Sequence, residues 1–177
     1  MASTSVLLIP ALLIALVCGQ SSGPRNVNDI LMSNKCLCPC KPFSVKEYYI
    51  PISRTSDWFG AVSYCRSSEM EMAEVLNEAE AELLRETLAE EDSDSDLEFY
   101  WIGANDLVQP GRYDWSLTTR TVTYTNWASG EPNNARVEGE DGPMERCVAV
   151  EKSTLEWNDF LCKQEKRFVC QRFRNDW

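Results

Sequence analysis

The stretch WASGEPNNARVEGEDGPMERCVAVEKSTLEWNDFLCKQEKRFVC, residues 127–170, decides how this chain is read. It holds Glu131, Pro132 and Asn133, then Glu145 two residues before Cys147, then Trp157, Asn158 and Asp159 three residues before Cys162, and it closes on Cys170. Carboxylates and side-chain amides set in loops beside cysteines suit a hard cation. Calcium takes about six to eight oxygen ligands and prefers carboxylates and amide carbonyls. Glu131, Asn133, Glu145, Asn158 and Asp159 supply such side chains, and the Asp159 carbonyl adds a further oxygen, which leaves positions open to a ligand. An X-Pro bond adopts the cis form at a cost of only about 0.5 to 1 kcal/mol, so Pro132 lets the residues on either side of it aim at one ion. Either half alone reads more simply as a polar surface turn; the case rests on the two together.

Length and composition set the bounds. The chain has 177 residues, enough for one domain with an ordinary core. The apolar run Val6–Val17 contains a proline and is too short to span a bilayer comfortably, and Gly19 offers a small residue for cleavage. Residues 1–19 are therefore read as a secretory signal peptide, although no Lys or Arg precedes the run. Residues 20–42 form a polar leader carrying Cys36, Cys38 and Cys40 as a CxCxC triplet; the domain is placed at 43–173 and a short tail at 174–177. In an oxidising compartment the cysteines left after cleavage are expected to pair, and their number, seven, is odd.

The chain contains 0 histidines, which removes His-based triads, His-containing zinc sites and the usual neutral-pH general base. No spacing singles out a catalytic carboxylate pair, so an enzyme is not expected. Net charge is -11, and the run Glu69–Glu98 alone carries -12, leaving about +1 elsewhere. Neither nucleic acid nor an anionic membrane is an expected partner. The acidic run reads as a solvated helix face and loop, with a docking surface for a basic partner as its rival.

Along the chain, Tyr48–Ile52 suggests a first strand with Tyr48, Ile50 and Ile52 on one face. Thr55 or Ser56 is expected to cap a helix whose Trp58, Phe59, Val62 and Cys65 turn inward. Asn77 and Glu80 suggest a capping box for a second helix with Leu83, Leu84 and Leu88 as its apolar stripe. Glu90–Asp96 is expected to be an acidic loop, Phe99–Gly103 a buried strand, Leu107–Gly111 a loop, and Trp115 and Val122–Trp127 further strand material. Cys147–Val150 and Phe168–Cys170 complete a small antiparallel sheet. The result is an α+β domain of two helices packed on strands, with the long loops of Asn126–Arg146 left for function.

Taken together, the Glu131-Pro132-Asn133 triplet, Glu145 before Cys147, Trp157-Asn158-Asp159 before Cys162, Cys170, and Trp101-Ile102-Gly103 upstream resemble the C-type lectin family in its mannose-type form. The resemblance covers about residues 40–173. It implies the C-type lectin-like fold, the bridges Cys65–Cys170 and Cys147–Cys162, and a Ca²⁺ ion held by Glu131, Asn133, Glu145, Asn158 and Asp159. It also implies glycans as partners: the ion receives two vicinal sugar hydroxyls, with Glu131 and Glu145 as hydrogen-bond acceptors and Asn133 and Asn158 as donors, while Asp159 serves only the metal. That order fits mannose, fucose, glucose and N-acetylglucosamine. A single domain behind a signal peptide and CxCxC leader is similar to secreted insect lectins of mosquito type, which implies humoral pattern recognition or immune regulation such as control of melanization. The alternative is a protein-interaction domain in which calcium is structural.

Two departures from the family pattern matter. Asn133 and Glu145 stand twelve residues apart, about twice the usual separation. At the auxiliary calcium site of many members, Asp106 matches one ligand, but Pro110, Asn134 and Arg146 stand where acids are usual, so one calcium site is expected and not two. Long-form members carry an extra bridge near the domain start, which this chain lacks the cysteines to form. At least one of Cys36, Cys38 and Cys40 then remains free or reaches another chain, and the expectation is a disulfide-linked homodimer or small oligomer, or a heterodimer with a related lectin.

Overall fold

The computed structural model describes residues 45–91, 98–137 and 142–174. The expected signal peptide, the expected leader with Cys36, Cys38 and Cys40, most of the expected acidic loop and the last three residues lie outside the described residues. The elements run β1 (Val45–Tyr49), α1 (Trp58–Ser67), β2 (Glu71–Met72), α2 (Glu78–Ala89), β3 (Phe99–Gln109), β4 (Arg112–Trp115), β5 (Cys147–Glu151), β6 (Trp157–Phe160), β7 (Arg167–Phe168) and β8 (Cys170–Arg174). The α+β class and the two helices match the sequence reading.

One sheet has the order β1-β8-β2, and the other runs β4-β3-β5-β6 with β7 joined to β3. The β3–β7 pairing is parallel, an exception to the all-antiparallel expectation. Strand alternation divides the interior in two, because successive side chains leave a strand on opposite faces. Tyr100, Ile102 and Ala104 of β3, with Val148 and Val150 of β5, face Leu84 and Leu88 of α2 in one core. Trp101, Cys147 and Ala149 go the other way, into a core with Trp58, Ala61 and Cys65 of α1. A sheet covered on both faces needs near-continuous apolar strands, and Cys147–Val150 is buried throughout.

Several local expectations change. The N-cap of α1 is Asp57, whose Oδ1 accepts from Gly60 N at 2.7 Å, and not Thr55 or Ser56. Phe59 turns outward to an edge contact with Trp58, since one helical stripe cannot hold four large residues so closely spaced. Asn77 caps α2 by accepting from Glu80 N, but Glu80 receives Leu76 N, so the reciprocal half of the capping box is displaced by one residue. β1 ends at Tyr49, and Ile52 is exposed. β3 continues through the expected loop at Leu107 as far as Gln109, because the hairpin with β4 pairs Gln109 with Arg112. Residues 122–127 form no regular strand; Trp127 makes an isolated bridge to Trp157.

Disulfides join Cys65 to Cys170 and Cys147 to Cys162. The first ties α1 to β8 across 105 residues, and the second closes a 15-residue segment that contains Asn158 and Asp159. Loop-closure entropy assigns about 4.7 and about 3 kcal/mol to bridges of these spans.

Candidate functional site

The site is built where the 126–146 loop returns onto β6. Trp157 N donates to Asn126 O at 2.7 Å and Ala128 N to Trp157 O at 2.9 Å, fixing the base of the loop. Beneath it, the buried Trp157 ring makes edge contacts with Trp115, Tyr124 and Trp127. Pairing of β6 with β5 sets Asp159 opposite Val148 and Asn158 opposite Ala149. The polar loop, which has no apolar core of its own, thus stands on an aromatic floor.

Asp159 organises the loop from below. It is 0 % exposed; its Oδ1 accepts from Asn133 N at 3.1 Å, and its Oδ2 from Asn134 N and from Tyr113 Oη, both at 2.9 Å. The Glu131–Pro132 peptide is cis. Glu131 accepts from Asn133 N at 3.1 Å and from Asn133 Nδ2 at 3.0 Å, while Asn133 Oδ1 accepts from Ala135 N.

The doubled separation between Asn133 and Glu145 resolves into a short hairpin stem. Glu145 N donates to Ala135 O at 2.9 Å and Val137 N to Pro143 O at 3.1 Å, with Arg136 bridged to Met144. The stem brings Glu145 beside Asn134, whose Nδ2 reaches Glu145 O at 3.2 Å. The insertion therefore does not remove Glu145 from the cluster.

Electrostatics mark the convergence of Glu131, Glu145 and Asp159. Burial, then a hydrogen bond and charge repulsion from Asp159, push the Glu131 carboxyl above its ordinary range. Burial, then the charges of Asp159 and Glu131, push Glu145 up as well. Lys166, packed 3.6 Å from the Phe160 ring centroid, is pushed down to about 8 by burial, partly offset by Glu145. Burial and Asp159 also raise Tyr113, which keeps its hydroxyl a donor.

Asn158 Oδ1 is buried and without a hydrogen-bond partner. A buried acceptor left unmade costs about 1 to 3 kcal/mol, so such an oxygen points to a missing partner. Among the described residues, no three His, Cys, Asp or Glu side chains form a metal cage by themselves. The ligand set that the resemblance implies adds the amide oxygens of Asn133 and Asn158 to the carboxylates, and that hard, all-oxygen chemistry fits calcium.

A second acidic centre lies beside the first. The carboxylate of Asp106, 1 % exposed, accepts from Arg146 Nε at 3.0 Å through Oδ1, and through Oδ2 from Asn134 Nδ2 at 3.0 Å and Gly111 N at 2.7 Å. Arg146 also donates to the Asp106 carbonyl. The sequence reading noted that Arg146 and Asn134 replace acids, but not that both turn onto Asp106. It also missed Tyr113, whose only sequence signal is its place two residues before Trp115 in a strand with alternate buried positions.

The family model for the lectin C-type domain matches residues 54–172. The chain belongs to the C-type lectin domain family. Among similar proteins, Salivary C-type lectin 2 of Aedes albopictus is 34% identical over 143 residues, covering 76% of this chain and 89% of that one. C-type lectin mosGCTL-7 of Aedes aegypti is 30% identical over 129 residues, 70% of this chain and 81% of its relative. The mouse scavenger receptor C-type lectin carbohydrate-recognition domain aligns with a TM-score of 0.62 at 25% identity, covering 76% of this chain and 98% of that one. C-type lectin domains are carbohydrate-binding and non-enzymatic, and the family is generally calcium-binding. No helix among the described residues is long and apolar enough to cross a membrane.

Proposed function

We propose that this C-type lectin binds sugars of the mannose, fucose and N-acetylglucosamine type through one calcium ion held by Glu131, Asn133, Glu145, Asn158 and Asp159. The observation that carries the reading is the buried, unpartnered Asn158 Oδ1, adjacent in sequence to Asp159, together with Glu131 and Glu145 carboxyls raised by burial and then by the charge of Asp159. Bound calcium would supply a Lewis-acidic centre that accepts hydroxyl lone pairs. The chain's residues supply direction: Glu131 and Glu145 accept the hydroxyl protons, and Asn133 and Asn158 donate to the hydroxyl oxygens. In the structure Glu131 and Asn133 satisfy each other, and a sugar hydroxyl takes over both partners. Asp159 holds the loop through Asn133 N and Asn134 N and also accepts from Tyr113 Oη, leaving about one lone-pair position for the metal. A cow CD23 carbohydrate-recognition domain crystallised in the presence of GlcNAc2Man3 oligosaccharide, 26% identical with a TM-score of 0.60, supports the ligand class.

The test is competition by methyl mannoside and methyl galactoside with calcium and then with chelator. Mannoside is expected to compete better, with millimolar affinity near -4 kcal/mol. Glu131→Gln with Asn133→Asp exchanges acceptor and donor and is expected to move preference toward galactoside. Equal binding of both sugars in chelator contradicts the mechanism.

The same reading includes secretion behind residues 1–19, a domain at 43–173, and interchain disulfides through Cys36, Cys38 or Cys40 that join copies or related lectins for humoral recognition, such as control of melanization. Tethered weak sites gain about 10² to 10⁴ in avidity. Non-reducing electrophoresis of secreted protein should show a species of twice the monomer mass; a monomer with and without reductant, even beside co-secreted lectins, removes the linkage.

A further inference from the structure

A depression of about 290 Å³ opens directly beside the Glu131-Pro132-Asn133 turn. Its wall includes Arg112, Tyr113, Thr121, Thr125, Trp127 and Pro132. The volume lies at the lower end for small-molecule sites, enough for a compact polar ligand. Pro132 belongs to both this depression and the turn, so a ligand seated at Glu131 and Asn133 has its next unit at the mouth.

The lining carries one charge, and it is positive. Arg112 is the sole charged residue of the wall among the described residues, in a chain of net charge -11. The β3–β4 hairpin fixes it: Gly111 takes a φ of 77° in the turn, and Arg112 pairs with Gln109. Arg112 Nε donates to Asp114 Oδ1 at 3.3 Å in a half-exposed ion pair, and Nη2 to Thr121 Oγ1 at 3.1 Å, so an anion in the depression would share the guanidinium with Asp114. A guanidinium has five N–H donors, so donors remain beyond these two contacts. The Trp127 ring, 4.9 Å from Tyr113 between centroids, offers an aromatic wall, and Thr121 and Thr125 offer hydroxyls. Aromatic surface, hydroxyls and a held guanidinium are the chemistry of a sugar ring bearing an anionic group.

We propose that this depression is an accessory subsite for an anionic sugar residue, carrying a carboxylate or a sulfate ester, next to the residue held at the Glu131-Pro132-Asn133 turn. The proposal deepens the lectin reading above and rests on it for the anchoring sugar. Arg112 makes a charge-assisted hydrogen bond to the anion, and Trp127 packs against the ring.

The experiment compares the full-length chain with Arg112→Gln and with Thr125→Trp, which fills the depression from an exposed position. Probes are a mannose-terminated disaccharide, the same disaccharide with a uronic acid as second residue, and the same with a sulfate ester there, each measured with calcium and with chelator. The wild type should bind one or both acidic probes about tenfold more tightly than the neutral one. Both variants should lose that preference while keeping calcium-dependent binding of the neutral probe. The uronic and sulfated arms tell which anion is preferred. Neutral binding without any acidic preference overturns the subsite and leaves the lectin reading standing, as does a preference unchanged in Arg112→Gln. Acidic binding that requires Arg112 but ignores chelator supports the subsite and sinks the calcium reading. Failure of every probe overturns both.

Discussion

Two acidic centres flank Asn134. On one side, Asp106 already has its cation, because Arg146 donates to its carboxylate and its carbonyl. On the other, the charges of Glu131, Glu145 and Asp159 act on one another, and none has an ion-pair partner among the described residues. Asn134 joins the two, giving its backbone N–H to Asp159 and its side-chain amide to Asp106. The contrast teaches where the chain provides its own positive charge and where it leaves charge to solution. A carboxylate paired with a guanidinium of its own chain is neutralised at every calcium concentration; on the reading proposed above, the other centre takes its positive charge from a bound cation.

The largest effect should come from removing the built-in cation. Arg146→Ala leaves the Asp106 carboxylate buried without its charge partner, a change that costs about 3 to 5 kcal/mol for fully buried pairs and somewhat less here because Arg146 keeps 24% of its side chain in water. Urea unfolding in chelator measures it. Adding Asp106→Asn to Arg146→Met should recover much of the loss; if the double variant is no better than Arg146→Ala, the pair is not what holds this centre.

Next comes calcium itself. Extracellular modules bind at about 10⁻⁴ to 10⁻³ M, so 10 mM calcium should stabilise the fold by about 1.4 to 2.7 kcal/mol, read as a shift in thermal midpoint. Arg146→Ala should lower the baseline but keep this shift. Loss of the shift in that variant would show that the two centres are not separable.

The same contrast appears in pH. Glu131 and Glu145 have folded pKa values above the ordinary 4.5, so in chelator they disfavour the folded state increasingly as pH rises through those raised values, and this cost is absent below the ordinary one. With calcium the sign reverses, since the ion needs the carboxylates ionised. The stability difference between calcium and chelator should therefore be full at neutral pH and shrink as pH falls, beginning above the ordinary glutamate range. A difference that is flat with pH places calcium elsewhere.

Much of this was legible from residue order. The triplet at Glu131, the Trp157-Asn158-Asp159 motif and the cysteines carry the resemblance to the C-type lectin-like fold, and the helix and strand patterns give the α+β class, with Leu84 and Leu88 a core stripe because helical period shows in sequence. Period does not show which end of a strand is held by a hairpin, so the continuation of β3 to Gln109 was missed. Nor does it show contacts across long separations. Tyr113 on Asp159 spans 46 positions and Arg146 on Asp106 spans 40, and no local rule links such pairs. The doubled spacing before Glu145 gives no sign of the stem, because sequence separation says nothing of the pairing of residues 135–137 with 143–145.

A smaller effect separates repulsion from ligation. Glu145→Gln removes one charge from the crowded centre while keeping its shape. In chelator at neutral pH it should leave stability unchanged or raise it by less than about 1 kcal/mol, and the calcium-induced shift should fall. A variant as calcium-responsive as the wild type would take Glu145 out of the site.

The most direct measurement is calorimetric titration of calcium into the chelator-treated, folded chain at neutral pH, repeated with Asn158→Ala. The account predicts one binding event of about 10⁻⁴ to 10⁻³ M in the wild type and its loss in a variant that remains folded. No binding to the folded wild type, or binding that Asn158→Ala leaves intact, would contradict it.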